Sequence, residues 1–383
     1  LFRLANLIGW AGLESAFSSL YCGDNGRPPK PIRLMTGLLI LKHVRNVSDE
    51  QVVAQFSENA YYQYFCGMES FTIAPPCAAS ELVHFRHRIG ESGIELIFKE
   101  SIRVNLLLDD RRKADEDIDK DGRGRKPDSE QTAFIDSTVQ EKNVTFPTDS
   151  KLLNKIIGYC HKVAKREGIH VRQSYTQVVK ELKRMQRFRG KAHSAKKVAK
   201  ADRKMRTIAG RLVRELLREL PVANIYQKRL ELSLKFVNGE KIDGHKIYSL
   251  HEPDVLCISK GKEHKKYEFG NKVSFVRLWN GLIVGALSFR NEYDGHTIDR
   301  SMEQVKRVYG RKIRILAGDR GYRGQTMTGD TKVLIPDVPK ASDSAYMKAK
   351  KHRLFRKRAG IEPVIGHNKA DHRLGRNFYW GLL

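Results

Sequence analysis

Lys312-Ile-Arg-Ile-Leu-Ala-Gly-Asp319-Arg-Gly-Tyr-Arg-Gly324 is a short apolar run that opens into a glycine-rich, basic loop with one carboxylate at its mouth. Residues 312–317 predict a buried strand, and the carboxyl ends of strands in α/β sheets are where sites form. Taken alone, Asp319 also fits an Asx-type turn whose side chain serves only its own backbone. The stretches before it decide between these readings. Residues 255–259 and 267–276 read as strands, with Gly270 expected at a bulge or close approach. Asn280-Gly281 is a strong hairpin signal, and residues 282–289 follow as another strand. Asp294-Gly-His-Thr297 then caps a helix reaching about residue 309. Three antiparallel strands, a helix and a parallel-type strand give an α/β fold: a mixed sheet with flanking helices.

An earlier run, Thr132-Ala-Phe-Ile-Asp136-Ser-Thr-Val139, is interrupted by one acid. An Asp inside an apolar strand is costly to bury unless it binds something; otherwise it ends an edge strand or caps a turn. A third acid stands among cations in Phe355-Arg-Lys-Arg-Ala-Gly-Ile-Glu362-Pro-Val-Ile-Gly-His-Asn-Lys369. Phe355, Arg358, Glu362 and Lys369 are offset by 0, 3, 7 and 14 residues. At roughly 100° per residue they fall in a helical stripe about 60° wide. Pro363 kinks that helix or starts it. Such a face holds a metal ion with its carboxylate and phosphates with its cations; a solvated basic helix is the plain alternative. Three carboxylates converging in a basic core cannot all stay ionised without divalent cations. Mg²⁺ takes oxygen ligands, and two such ions serve both the attacking and the leaving oxygen of a phosphodiester.

The net charge of +27 and the pI of about 9.9 point to a polyanionic partner. Nucleic acid is the first candidate and an anionic membrane surface the second. The best apolar run, residues 34–41, is far short of the roughly 20 residues that a span needs. The cysteines (Cys22, Cys66, Cys77, Cys160, Cys257) are scattered, without CxxC spacing, so no zinc site or disulfide framework is indicated and a reducing cytoplasm fits. The chain starts at Leu1 without Met, and one or both ends are expected to be incomplete.

Residues 1–108 read as an N-terminal all-α domain. Pro31 precedes an amphipathic run over 32–44, and Ser48 caps a second helix with Gln51 at the capping-box position. Tyr61, Tyr62, Tyr64 and Phe65 are expected to pack these helices. Ser80 is expected to cap a third, 81–89, burying Leu82, Phe85 and Ile89 and leaving His84, Arg86, His87 and Arg88 outside. That pattern suits a helix-turn-helix reader and equally a dimerisation module. Residues 109–130 read as a charged linker. Residues 150–221 form a basic helical insertion after the first strand. Its buried stripes are Leu152, Ile156, Cys160 and Val163; Val178, Leu182 and Met185; Leu212, Leu216 and Leu220. The cation-dense stretch from Lys183 through Arg187 to Arg206 has few compensating acids and reads as a phosphate track on a helical hairpin. Pro221 ends it. The sheet domain is therefore discontinuous, 131–149 and 222–383.

The order of elements carrying Asp136, Asp319 and Glu362 resembles the RNase H-like catalytic domain of DDE transposases from bacterial insertion sequences. One group of these carries Tyr-x2-Arg-x3-Glu-x6-Lys, which Phe355, Arg358, Glu362 and Lys369 match in spacing. Phe355 in place of Tyr loses the phenol's hydrogen bond and keeps the ring. Tyr267-Glu-Phe-Gly-Asn-Lys272, Tyr293-Asp-Gly-His-Thr297, Asp319-Arg-Gly-Tyr322 and Gly360-Ile-Glu-Pro-Val-Ile-Gly-His367 resemble the subgroup named after the fifth-numbered insertion sequence, and Phe65-Cys-Gly67 resembles its N-terminal domain. The resemblance implies that Asp136 bridges two Mg²⁺ ions, with Mn²⁺ able to substitute, while Asp319 and Glu362 each complete one site. Arg358 and Lys369 would hold element-end phosphates, and Phe355 would offer its ring to sugar or base. Arg320, Arg323, His367, Arg373, Arg86, Arg88, Lys183 and Arg187 are the further DNA-contact candidates. The implied reaction is hydrolytic nicking at terminal inverted repeats, then attack of the freed 3′-hydroxyl on target double-stranded DNA. The expected setting is a homodimer or larger assembly in the bacterial cytoplasm, near the nucleoid and away from membranes. A nuclease on the same fold that cuts without joining, and a non-catalytic DNA-binding derivative, are the competing readings. Asp254 or Asp294 would be the next carboxylates to consider. Trp279 and Trp380 suit core packing or the stacking of a flipped base.

Overall fold

Local signals set the first helices: α1 (Phe2–Leu7), α2 (Trp10–Ser18), α3 (Ile32–Val44), α4 (Asp49–Glu58), α5 (Ala60–Phe65) and α6 (Ala79–Asp117). The computed structural model describes residues 1–21, 28–117, 131–259, 266–335, 340–379 and 381; the side chains at 112–117, 192, 350 and 355 lie outside that description. The capping box is present. Ser48 Oγ accepts from the Gln51 backbone N–H at 3.2 Å, and Gln51 Oε1 accepts from the Ser48 N–H at 2.9 Å. Leu38, Leu41, Val52, Phe56, Phe65 and Leu82 are wholly buried where these helices meet. Tyr62 is buried with them, whereas Tyr61 and Tyr64 are exposed and Tyr64 stacks on Phe2.

Two expectations change at α6. The helix starts at Ala79, so Ser80 lies inside its first turn, and Glu81 Oε2 accepts from the Ala78 N–H instead. Nor does it stop at Ile89. Gly90 takes φ 59°, ψ −163°, a geometry that glycine alone adopts freely, and helical structure resumes to Asp117. The first part of the expected linker is therefore helix; residues 118–130 lie outside the described residues.

By contact density the chain forms two compact units, residues 1–140 with 272–377 and residues 141–271 with 378–383. The first holds β1 (Thr132–Lys142) up to Gln140, β3 (Tyr267–Leu278) from Lys272, β4 (Ile283–Phe289), α11 (Ile298–Val308), β5 (Ile315–Ala317), β6 (Met327–Thr328), β7 (Thr331–Leu334), α12 (Ala345–Ala359) and α13 (Ile361–Asp371). Its sheet runs β4-β3-β1-β5-β7-β6. β3 and β4 are antiparallel, β1–β5 and β5–β7 are parallel, and β6–β7 is antiparallel. The fold is thus α/β with an open mixed sheet. The register shift on β3 falls at Val276/Arg277, not at Gly270, which pairs regularly with Leu256.

Both faces of this sheet are covered, as alternation on β3 dictates. Val276 and Leu278 join Val305 and Val308 of α11 and Ile102 of α6 in one core. Val273 and Phe275 point the other way and pack with Ile361 of α13. Gly285 permits the close seating of α11, since a Cβ there would meet Val305 Cγ2 at 2.8 Å. Glu95 of α6 accepts two bonds from Arg307 of α11, at 2.7 and 2.9 Å.

The second unit holds α7 (Asp149–Arg166), α8 (Thr176–Gln186), α9 (Ala195–Glu219), α10 (Gln227–Asn238) and β2 (Leu256–Ser259), which pairs with the opening residues of β3. Leu153, Ile156, Cys160, Leu182, Leu212 and Leu216 share its core. Met185 is exposed and Val179 is buried in its place, so the α8 stripe is turned by a residue from the expected one. Pro221 ends α9 as expected, but the unit does not end there: Leu230 and Phe236 of α10 enter the same core. Among the described residues no helix is long and apolar enough to cross a membrane.

Candidate functional site

The first unit brings acids from separate elements toward one end of its sheet. Phe134 on β1 pairs with Ala317 on β5. Asp136, on β1, and Asp319, just past the end of β5, each stand two residues beyond that pair, and such parallel strands run about 4.8 Å apart. The junction is tight: a Cβ on Gly318 would meet Ile135 Cγ2 at 3.2 Å and Tyr322 Cβ at 3.1 Å. Asp319 then turns the chain, its Oδ1 accepting from the Gly321 N–H at 2.8 Å. The Asx-type turn weighed from sequence is therefore real, and it also fixes the carboxylate at the strand end.

Glu362 arrives from α13. The predicted stripe is not one helix: α12 ends at Ala359, Gly360 forms the elbow and α13 begins at Ile361. Pro363 sits in the first turn of α13, where a missing N–H costs nothing. Arg358 spans the elbow. Its Nη2 donates to Glu362 Oε1 at 3.2 Å, and its Nη1 lies 3.6 Å from Asp136 Oδ2. The Arg358 and Asp136 side chains are largely withdrawn from water, at 11% and 15% exposure, whereas Glu362 is 62% exposed.

Burial pushes the Asp136 carboxyl up to about 6, and the Asp319 and Glu362 charges push the same way. The Ser137 N–H, donating to Asp136 Oδ1 at 2.8 Å, and Arg358 pull against them. Three oxygen-bearing acids without a soft ligand suit a hard divalent cation. Among the described residues, however, no three His, Cys, Asp or Glu side chains are arranged as a ready ligand set. Arg358 is the counter-ion that Asp136 and Glu362 share.

Asp294, held in reserve from sequence, adjoins this site. It opens the 3₁₀ turn Asp294–Thr297. Its Oδ2 accepts from Ser137 Oγ at 3.1 Å and its Oδ1 from Lys272 Nζ at 2.9 Å. Ser137 and Lys272 escaped the sequence reading, although Lys272 lies in a segment that carries the resemblance. Asp254 belongs to the other unit.

The cationic candidates separate. Arg320 and Arg323 are exposed on the loop after Asp319. Lys369 is half-buried on α13, and His367 is exposed with Nδ1 3.4 Å from Asp371 Oδ2. Arg373 donates to the Asn46 carbonyl at 3.5 Å. Arg86, expected on an outer DNA-reading face, makes two bonds to Asp49, at 2.9 and 2.8 Å, and is a structural clamp between α6 and α4. Arg88 lies over the Tyr21 ring at 4.3 Å. Lys183 and Arg187 are exposed on and just past α8 of the second unit. Phe355 is on α12 with its side chain outside the described residues, as is Trp380. Trp279 is half-buried beside Phe134, with Lys357 Nζ 4.3 Å and the Arg353 guanidinium 5.7 Å from its ring centroid.

The family described as Transposase domain (DUF772) matches residues 1–88. A Rhizobium meliloti protein, described as an uncharacterized protein ORF8 in the nfe locus, is 40% identical over 180 residues, covering 47% of this chain and 80% of that protein. No solved structure matches the chain significantly. With that N-terminal domain and that extent of identity, the chain belongs to the transposase family.

Proposed function

We propose that this chain is a DDE transposase with an RNase H-like catalytic unit, of the Tyr-Arg-Glu-Lys signature group and the subgroup named after the fifth-numbered insertion sequence. Its substrates are the terminal repeats of its own element and a target duplex, met in the bacterial cytoplasm by a homodimer or larger assembly that pairs two ends. The observation that carries the reading is the register of β1 and β5, which sets Asp136 and Asp319 at one level while Arg358 links Asp136 to Glu362.

Asp136, Asp319 and Glu362 would hold two Mg²⁺ ions, or Mn²⁺ in their place, which when bound activate the attacking water or 3′-hydroxyl and stabilise the leaving oxygen. The chain's own groups do the positioning. Ser137 N–H and the Gly321 N–H orient the two aspartates. Arg358, released from Glu362, offers a planar fork to a phosphate. Lys369, Arg320 and Arg323 extend that cationic margin, and the exposed Lys183 and Arg187 offer further phosphate contacts.

The test is an assay with pre-cleaved element ends, target DNA and Mg²⁺. Joined product that disappears in Asp136→Ala, Asp319→Ala and Glu362→Ala is the expected result. Cleavage without joining would replace the reading with that of a nuclease, and unaltered activity in these variants would remove the assigned carboxylates.

A further inference from the structure

We infer that Asp294 is a positioning residue for the carboxylate pair Asp136 and Asp319, acting through Ser137 on one side and the Gly321 turn on the other. The inference rests on the catalytic reading above and adds to it a residue outside the acidic triad.

Asp294 stands first in a helical turn, where an acid ordinarily serves its own backbone. Here the N-cap position belongs to Tyr293, and both Asp294 carboxylate oxygens take partners from other elements. Oδ2 receives Ser137 Oγ and Oδ1 receives Lys272 Nζ. Lys272 also donates to the Glu292 carbonyl at 3.1 Å, which pins the acid's own loop. Both members of the ion pair are largely withdrawn from water, at 16% and 19% exposure. Alternation along β1 places Ser137 and Asp136 on opposite faces of the strand. A bond that fixes Ser137 from behind therefore fixes the direction in which Asp136 points.

The second connection is steric. A Cβ on Gly321 would lie 3.0 Å from Asp319 Oδ1 and 3.3 Å from Asp294 Oδ2. A side chain there would press on both carboxylates, so the Asp319 turn and Asp294 sit in close contact. The loops are also joined outside that point: Tyr293 Oη donates to the Arg323 carbonyl at 3.2 Å, and a Cβ on Gly295 would strike that same oxygen at 2.8 Å. Asp294 thus buttresses the Asp319 turn while holding β1.

The experiment compares the full chain with Asp294→Ala, Asp294→Asn and Ser137→Ala in three measurements. These are Mn²⁺ binding followed by the ion's paramagnetic signal without DNA, single-turnover joining of pre-cleaved ends, and Tm. Loss of an outer-shell partner typically costs about 10–100-fold in metal affinity or activity. Asp294→Ala is expected to lose that much in both Mn²⁺ affinity and joining rate, beyond any loss of folded protein. Asp294→Asn keeps an acceptor for Ser137 and is expected to recover part of it; Ser137→Ala is expected to lose part while keeping the wild-type Tm. Wild-type Mn²⁺ affinity and rate in Asp294→Ala would overturn the inference. If Asp294→Ala does not fold, a folded Ser137→Ala with wild-type affinity and rate would overturn it equally. Asp136→Ala separates the two levels. If it binds Mn²⁺ and joins ends normally, the catalytic reading fails; if it alone loses both, only the role of Asp294 fails.

Discussion

Asp49 and Asp136 belong to the same compact unit and are almost equally hidden, with side-chain exposures of 13% and 15%. Burial works to raise both carboxyls, yet they end on opposite sides of the ordinary value. At Asp49, bonds from Arg86 and Lys42, the latter at 2.7 Å, overcome burial and hold the carboxyl low. At Asp136 the guanidinium stands off at 3.6 Å while Asp319 and Glu362 add their repulsion. One acid is neutralised to hold α3, α4 and α6 together. The other is left short of positive charge within β1, which is what a cation or a phosphate-bound metal would supply.

Asp136→Asn should break this comparison most visibly. Joining activity is expected to fall about 10³-fold or more, since several kcal/mol of charge stabilisation are removed at about 1.4 kcal/mol per tenfold. Stability is expected to move the other way. A carboxyl raised in the folded state to about 6 from an unfolded 3.8 weakens the fold as pH rises through that window. In EDTA at pH 7 the Asn variant should be the more stable by about 1–3 kcal/mol, and the gap should close below about pH 4. Denaturant melts at several pH values check this, and an Asn variant less stable than wild type at pH 7 would contradict the assigned electrostatics.

Asp49→Ala should do the reverse. It removes the 2.7 Å ion pair of Lys42, whose side chain is 4% exposed, and removing one partner from a buried pair costs about 3–5 kcal/mol. Because the Asp49 carboxyl is held below its ordinary 3.8, its stabilising effect is present above that pH and is lost as pH falls through the lower folded value. Wild type and Asp49→Asn should therefore converge in Tm toward strongly acid pH. Equal Tm values at pH 7 would show that the knot carries no stability. Cleavage by the folded fraction should be unchanged in either variant.

The same contrast explains what could be read before the structure. Features set by near neighbours were legible: the Ser48–Gln51 box, the Asn280-Gly281 hairpin, and a strand ending in Asp319. Asp136 was legible too, because an acid in an apolar run is conspicuous whatever it pairs with. Features set by distant partners were not. Arg86 looks free on a helical wheel, and only its meeting with Asp49, 37 residues earlier in the chain, makes it structural. The third helix reads as ending at Ile89, yet helical structure resumes past Gly90 and packs Ile102 into the sheet core. Helix α10 follows Pro221 closely and owes its place to a shared core with α9. The Asp294–Ser137 bond joins positions 157 residues apart.

Trp279 offers the smallest test and a third way to hold charge. Arg353 and Lys357 lie over its ring, on the helix that carries Arg358, so α12 is anchored there by an aromatic face and not by an acid. An anchor of this kind leaves the cations charged toward a phosphate, where a carboxylate would have cancelled them. Such contacts contribute roughly 0.5–1 kcal/mol each near the surface, so Trp279→Leu should lower stability by about 1–2 kcal/mol. If the ring serves packing, joining activity should fall only as far as α12 loosens, and Trp279→Phe should restore most of it. A stacking platform for a flipped base would behave differently: activity would drop in Trp279→Leu with Tm unchanged, and the packing role would be lost.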